Sequence, residues 1–168
     1  GYGDPVYVNV GYAWDNQFID CPPFVPQFNN HRGLYRRYID VPAEWRGKQI
    51  LIHIGSATSN LTLWVNGKRV GYSEDSKLEA EFDITKYIKA GQSNLFAMEI
   101  HRWCDGTYLE DQDFWRLSGI ARDCYIYARD KAHIKDVKFT ATLANDYQDG
   151  VLNLNVDVTP SVKWVEVI

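Results

Sequence analysis

The chain has 168 residues, enough for one well-packed domain and part of another. Apolar residues make up 45% and charged residues 24%, which excludes an intrinsically disordered chain, and no apolar run is long enough to span a membrane. The net charge of −4 and the scattered basic residues argue against a phosphate-binding surface, so nucleic acid is not an expected partner.

In chain order the pattern is strand-like almost throughout. Gly1-Tyr2-Gly3-Asp4 shows no secretory leader pattern and reads as the interior of a longer protein, so it carries no sign of a compartment. Val6–Val10, Leu34–Ile39 and Gln49–Ile54 are short and rich in β-formers. Leu61–Val65 and Lys68–Tyr72 flank Asn66-Gly67, a strong hairpin signal, because both central residues of a type I′ turn need positive φ. Ala80–Ile84 predicts a further strand. Asp83 is placed to cap one helical turn running through Tyr87-Ile88 and closed by Gly91. Asn94–Ile100 and Asp123–Tyr127 complete the first set of strands.

No long amphipathic helix is predicted. Many short strands at even spacing indicate an all-β chain folded as a β-sandwich. Composition shifts near Arg129-Asp130-Lys131, which sets expected boundaries of 1–129 and 130–168. Beyond it, Ile134–Leu143 and Val151–Val158 alternate, with Asp149-Gly150 as the expected turn signal just before the second strand. Two strands cannot bury a core alone. The second unit is therefore expected to be incomplete, and either to lean on the first or to be poorly ordered.

The chemistry-bearing residues concentrate in one stretch, Arg102-Trp103-Cys104-Asp105-Gly106-Thr107-Tyr108-Leu109-Glu110-Asp111-Gln112-Asp113-Phe114-Trp115-Arg116. Four acids fall within nine residues, among aromatic rings and two arginines. Carboxylates accept bidentate hydrogen bonds from vicinal sugar hydroxyls and ligate hard cations; rings supply the apolar half of a sugar site. The plain alternative is that these acids cap turns or pair with Arg102 and Arg116. Asn9 in its strand and the polar run Gly71–Ser76 after the hairpin are further candidates, each with an ordinary solvated-loop alternative. Cys21, Cys104 and Cys124 fit no metal spacing and read as plain thiols, with one disulfide left open.

Several blocks resemble the sugar-binding domain of family 2 glycoside hydrolases, and within them the β-galactosidase branch. They are Pro5–Val10, Pro22–Pro26, Leu63–Gly67 through Tyr72, Asp75–Leu78 with Glu81–Asp83, and above all Arg102–Ile120, together covering about residues 1–128. The resemblance implies a jelly-roll, galactose-binding-domain-like sandwich over 1–129, followed by the start of an Ig-like sandwich over 130–168. It implies that Asn9 and Asp113 touch a galactosyl group and that Asp113 also ligates Na⁺. Asp105 and Glu74 match positions that help to hold Mg²⁺, where Glu74 replaces a glutamine, keeping an oxygen donor and adding charge. Gly11-Tyr12-Ala13-Trp14 departs from the pattern by lacking a proline.

The family's catalytic glutamates lie in a TIM barrel that nothing in this sequence resembles, so no catalytic residue is expected in the chain. The implied partners are a β-galactoside, that barrel and, for the parent protein, further copies of itself. β-Glucuronidase, β-mannosidase and a stand-alone carbohydrate-binding module are the competing readings.

Overall fold

The computed structural model describes residues 12, 14, 18, 21–110 and 117–168. The expected strand over Val6–Val10, together with Asn9, Asp111, Asp113 and Arg116, lies outside the described residues. The described residues form two compact units, the first closing at Ala128 and the second running from Arg129 to Ile168.

In the first unit the strands are β1 (Arg32–Asp40), β2 (Gln49–Ile54), β3 (Ala57–Thr58), β4 (Leu61–Val65), β5 (Lys68–Ser73), β6 (Ala80–Asp83), β7 (Ser93–His101), β8 (Gly119–Ile120) and β9 (Cys124–Arg129). They make a four-stranded sheet of order β1-β7-β4-β5 and a three-stranded sheet of order β6-β2-β9, with a small β3-β8 pair. Non-consecutive neighbours in both sheets give the jelly-roll type of sandwich rather than a simple meander.

Strand alternation explains the core. Successive side chains point to opposite faces. In β2, Ile50, Ile52 and Ile54 are buried, and in β4 so are Leu61, Leu63 and Val65. These join Phe96 and Ile100 of β7, with Val41 and Ile84, in one apolar cluster between the two sheets. Each such side chain contributes about 1.5–3 kcal/mol by leaving water.

Turn chemistry fixes the register. Asn66 and Gly67 take φ of 50° and 78°, the left-handed conformations of a two-residue hairpin turn, and set Val65 opposite Lys68. The same turn is anchored from beneath. Asn66 Nδ2 donates to Tyr87 O and to Asn94 Oδ1, each at 2.8 Å, and its Oδ1 accepts from Leu95 N at 3.0 Å. Asn94 is wholly buried, and its amide also pairs with Lys89 N, Lys89 O and Gln92 O.

Two local expectations are corrected. The helical turn expected after β6 is present as a three-residue 3₁₀ segment, Thr85–Tyr87, but it follows Ile84 with no side-chain cap and is not closed by Gly91. Asp83 instead makes a local turn, its Oδ1 accepting from Thr85 N at 2.9 Å, while Gly91 belongs to a separate bend and donates to Val41 O at 2.8 Å. In the second unit, β10 (Ile134–Ala144) and β11 (Asp149–Val158) form an antiparallel hairpin. Asp149 and Gly150 belong to β11, and the turn is made by Asn145, Asp146 and Tyr147, with φ of 51°, 50° and 66°. A short polar Asn or Asp adopts this conformation readily; a bulky Tyr does so rarely, so the sequence signal pointed elsewhere.

Candidate functional site

The site grows from the end of β7 and the loop after it. Arg102 N donates to His31 O at 2.9 Å, and Trp103 is clamped by Asn30, whose amide accepts from Trp103 N at 2.9 Å and donates to Trp103 O at 3.0 Å. The guanidinium of Arg102 lies over the Trp103 ring, 4.9 Å from its centroid. The chain then turns through a 3₁₀ segment, Asp105–Tyr108. Thr107 and Cys104 begin it reciprocally: Cys104 N donates to Thr107 Oγ1 at 3.0 Å and Thr107 N to Cys104 O at 3.0 Å.

Tyr108 closes the loop against the proline-rich segment. Its hydroxyl donates to Phe24 O at 2.7 Å and accepts from Cys21 N at 3.2 Å. The rings of Trp14 and Phe18 pack on Tyr108 with centroids 5.5 and 6.1 Å away, and Phe18 also meets Trp103 at 5.5 Å. The aromatic richness noted in the sequence is thus partly spent on pinning this loop.

Between the proline-rich segment and the loop lies a cleft of about 750 Å³. Phe24, Arg32, Asn60, Tyr72, Trp103 and Asp105 are among its walls. That volume is in the range of small-molecule sites, and the lining mixes ring faces with convergent polar groups.

Cys104 and Asp105 of this lining converge with Glu74, their side-chain oxygen and sulfur atoms all within 4.8 Å of one another. Glu74 accepts a short hydrogen bond from the Tyr72 hydroxyl, which is also 3.3 Å from Asn60 Nδ2. Burial, with the carboxylates of Asp105 and Glu110 nearby, pushes the Glu74 carboxyl above its ordinary range, against the lowering effect of the Tyr72 hydrogen bond. Burial likewise raises the Tyr72 phenol and the Cys104 thiol. Glu110 is held by Ser76, whose N–H donates to its Oε1 at 3.1 Å and whose hydroxyl makes a short bond to Oε2.

The two Mg²⁺ candidates from the sequence, Glu74 and Asp105, are therefore neighbours here. The sugar and Na⁺ candidates, Asn9 and Asp113, fall outside the described residues. Cys104 lies beside them, a proximity that spacing could not show, since Glu74 comes from the end of a strand thirty residues earlier. All three cysteines are free, so the disulfide left open in the sequence does not form.

Two carboxylates facing one another fit a hard divalent cation. Gly106 leaves the space beside them open: a Cβ there would sit 3.4 Å from Glu74 Oε2, 3.5 Å from Glu110 Oε1 and 3.6 Å from Cys104 Sγ.

The first unit is a jelly-roll sandwich with a cleft walled by rings and polar groups, and residues 1–130 match the family described as glycosyl hydrolases family 2, sugar binding domain. The chain belongs to that family. It is 44% identical over 159 residues to a protein named beta-galactosidase from Priestia megaterium, covering 94% of this chain and 15% of that protein. A beta-galactosidase of Vibrio vulnificus is 44% identical over 155 residues, covering 92% of this chain and 14% of the relative. The chain thus spans about one seventh of the length of these relatives. Among solved structures, a beta-glucuronidase of Ruminococcus gnavus shares the fold with a TM-score of 0.64 at 22% identity, over 79% of this chain and 24% of that one.

Proposed function

We propose that this chain is the sugar-binding part of a β-galactosidase, an enzyme that removes terminal non-reducing β-D-galactose residues. The observation that carries this reading is the 44% identity to a beta-galactosidase across nearly the whole chain. The glucuronidase likeness is at 22% identity and speaks to the fold. In this reading Asn9 and Asp113 contact the galactosyl group, Asp113 also ligates Na⁺, and Glu74 and Asp105 hold a divalent cation at the cleft wall.

Glycoside hydrolysis with retention needs two carboxylates about 5–5.5 Å apart across the scissile bond. In this reading they come from a catalytic TIM barrel elsewhere in the parent protein, and the chain alone hydrolyses nothing. Its contribution is orientation: groups that hold the sugar convert random encounters into productive ones. The apolar face of the β10–β11 hairpin is read as one layer of a second, Ig-like sandwich.

The test is hydrolysis of aryl β-galactoside, β-glucuronide and β-mannoside by the full-length gene product and its Asp113→Ala variant. Galactoside cleavage that falls on the order of 10²-fold in the variant is the expected result. Cleavage of another glycoside instead would keep the family and overturn the specificity. No cleavage of any would move the reading to a carbohydrate-binding module.

A further inference from the structure

One ring at the cleft stands in water on a backbone that is held from two sides. Phe24 lines the cleft and is 73% exposed. A single exposed apolar side chain is ordinary on a protein surface. The setting of this one is not. Phe24 N donates to Cys21 O at 2.8 Å, and the two residues form an isolated antiparallel bridge. The Tyr108 hydroxyl donates to Phe24 O at 2.7 Å and accepts from Cys21 N at 3.2 Å. All four backbone polar groups of Cys21 and Phe24 are therefore bonded. Tyr108 is in turn wedged by the rings of Trp14 and Phe18. Phe28, four residues on, gives the contrast: it is 83% exposed but is not among the residues that line the cleft.

We propose that Phe24 is a substrate-contacting ring, and that Tyr108 is the positioning residue that holds it at the cleft. The proposal deepens the galactoside reading and rests on it. The ligand chemistry is an apolar face of a β-galactoside, either the C–H face of the sugar or the ring of an aryl leaving group. Groups that can meet hydroxyls already line the same cleft in Arg32, Asn60 and Asp105. A small-molecule site also needs apolar area beside its polar groups, and Phe24 offers it.

The pinned backbone is what turns exposure into use. A ring on a loose loop loses freedom when a ligand meets it, and that loss weakens binding. A ring whose backbone is already fixed gives up little. On the loop side of the cleft Trp103 is fixed in the same manner, with Asn30 bonded to both its N–H and its carbonyl.

The experiment measures steady-state hydrolysis of a nitrophenyl β-galactoside by the full-length gene product, with free galactose as a competitive inhibitor. Phe24→Ala should raise KM by about 3–10-fold, the worth of one ring contact. Phe24→Tyr keeps a ring and should stay near wild type, and Phe28→Ala should leave KM unchanged. Phe24 is exposed, so its truncation should not move the midpoint of thermal unfolding. Tyr108→Phe keeps its ring and loses only the hydroxyl; KM should rise by at least about 2-fold. Because Tyr108 acts through Phe24, the double variant should be no worse than Phe24→Ala alone, whereas a merely structural tyrosine would add its own loss. Galactose separates the two sources of the apolar face. Its Ki rises with KM if Phe24 meets the sugar, and stays put if Phe24 meets the leaving group.

Wild-type KM and Ki in Phe24→Ala, in a protein that cleaves galactoside, would overturn the proposal and leave the functional reading standing. Losses that simply add in the double variant would remove Tyr108 from its role. Cleavage of a glucuronide or mannoside but no galactoside would sink the galactoside reading, while the same KM comparison on the glycoside that is cleaved still decides the part played by Phe24. No cleavage of any glycoside would take both down.

Discussion

The two units use the same strand alternation to different ends. In β4 of the first unit, Leu61, Leu63 and Val65 alternate with half-buried Thr62 and Trp64, and all three are at most 1% exposed. In the hairpin of the second unit, Val137, Phe139, Ala141 and Leu143 pair with Val156, Leu154, Leu152 and Gly150, so one face is equally apolar. There Phe139 is 68% exposed and Leu152 61%. Alternation therefore specifies a strand and a face. Burial depends on whether a second layer meets that face, and a hairpin by itself has none.

The largest expected effect sharpens this contrast. Leu63→Ala should lower the stability of the first unit by about 2–5 kcal/mol, because the sandwich core closes only partly around the deleted side chain. Chemical denaturation of the chain, followed by circular dichroism, measures it. A loss below about 1 kcal/mol would mean that the two sheets pack loosely and that the contrast with the hairpin is one of degree.

Next comes the polar knot beneath the Asn66-Gly67 turn. Asn94→Ala removes an amide that is 0% exposed and makes four hydrogen bonds. Lys89 N would lose its acceptor, while Lys89 O and Gln92 O keep the backbone donors Gln92 N and Val41 N, so the cost should be about 1–3 kcal/mol. Asn94→Asp keeps the acceptor toward Lys89 N and Asn66 Nδ2 and loses the two donated bonds, so it should fall between wild type and the alanine variant. If both variants match wild type in denaturation, the knot does not anchor the turn.

How much of this was legible in the sequence follows from the range of each signal. The strands of the first unit and the Asn66-Gly67 turn are local patterns, so alternation and backbone chemistry sufficed to find them. The β3–β8 pair is two residues long on each side, too short for any period to show. The hairpin turn at Asn145–Tyr147 was obscured by a nearby Asp-Gly. At the cleft, the acidic loop stood out by composition, and Glu74 and Asp105 by resemblance. That Cys104 lies beside them did not, because Glu74 reaches it from a loop about thirty residues earlier. The Asn66–Asn94 knot was equally silent: two asparagines twenty-eight residues apart carry no mark of a shared hydrogen bond.

A smaller effect is expected at the turn itself. Gly67 adopts a φ of 78°, and a Cβ there would meet nothing within 4 Å, so the whole cost of Gly67→Ala is backbone strain. That strain is about 1–2 kcal/mol. Gly67→Asn should recover part of it, since a short amide side chain tolerates the left-handed region. Equal stability of the two variants would show that the turn relaxes to another type.

The smallest effect tests the other half of the comparison. Leu152→Ala truncates a leucine as Leu63→Ala does, but from a side chain that is 61% exposed. Little apolar surface returns to water, so the change should stay within about 0.5 kcal/mol. Amide exchange gives the same contrast without mutation: amides of Leu61–Val65 should open only with the whole sandwich, whereas those of β11 should exchange faster, in keeping with few buried contacts. Measured in the full-length gene product, the hairpin becomes informative in the opposite sense. If its apolar face is one layer of a second sandwich, Leu152→Ala should there cost several-fold more than in the 168-residue chain, and β11 should gain protection. An unchanged small cost in both settings would mean that the face stays uncovered, and the reading of the hairpin as part of an Ig-like unit would fall.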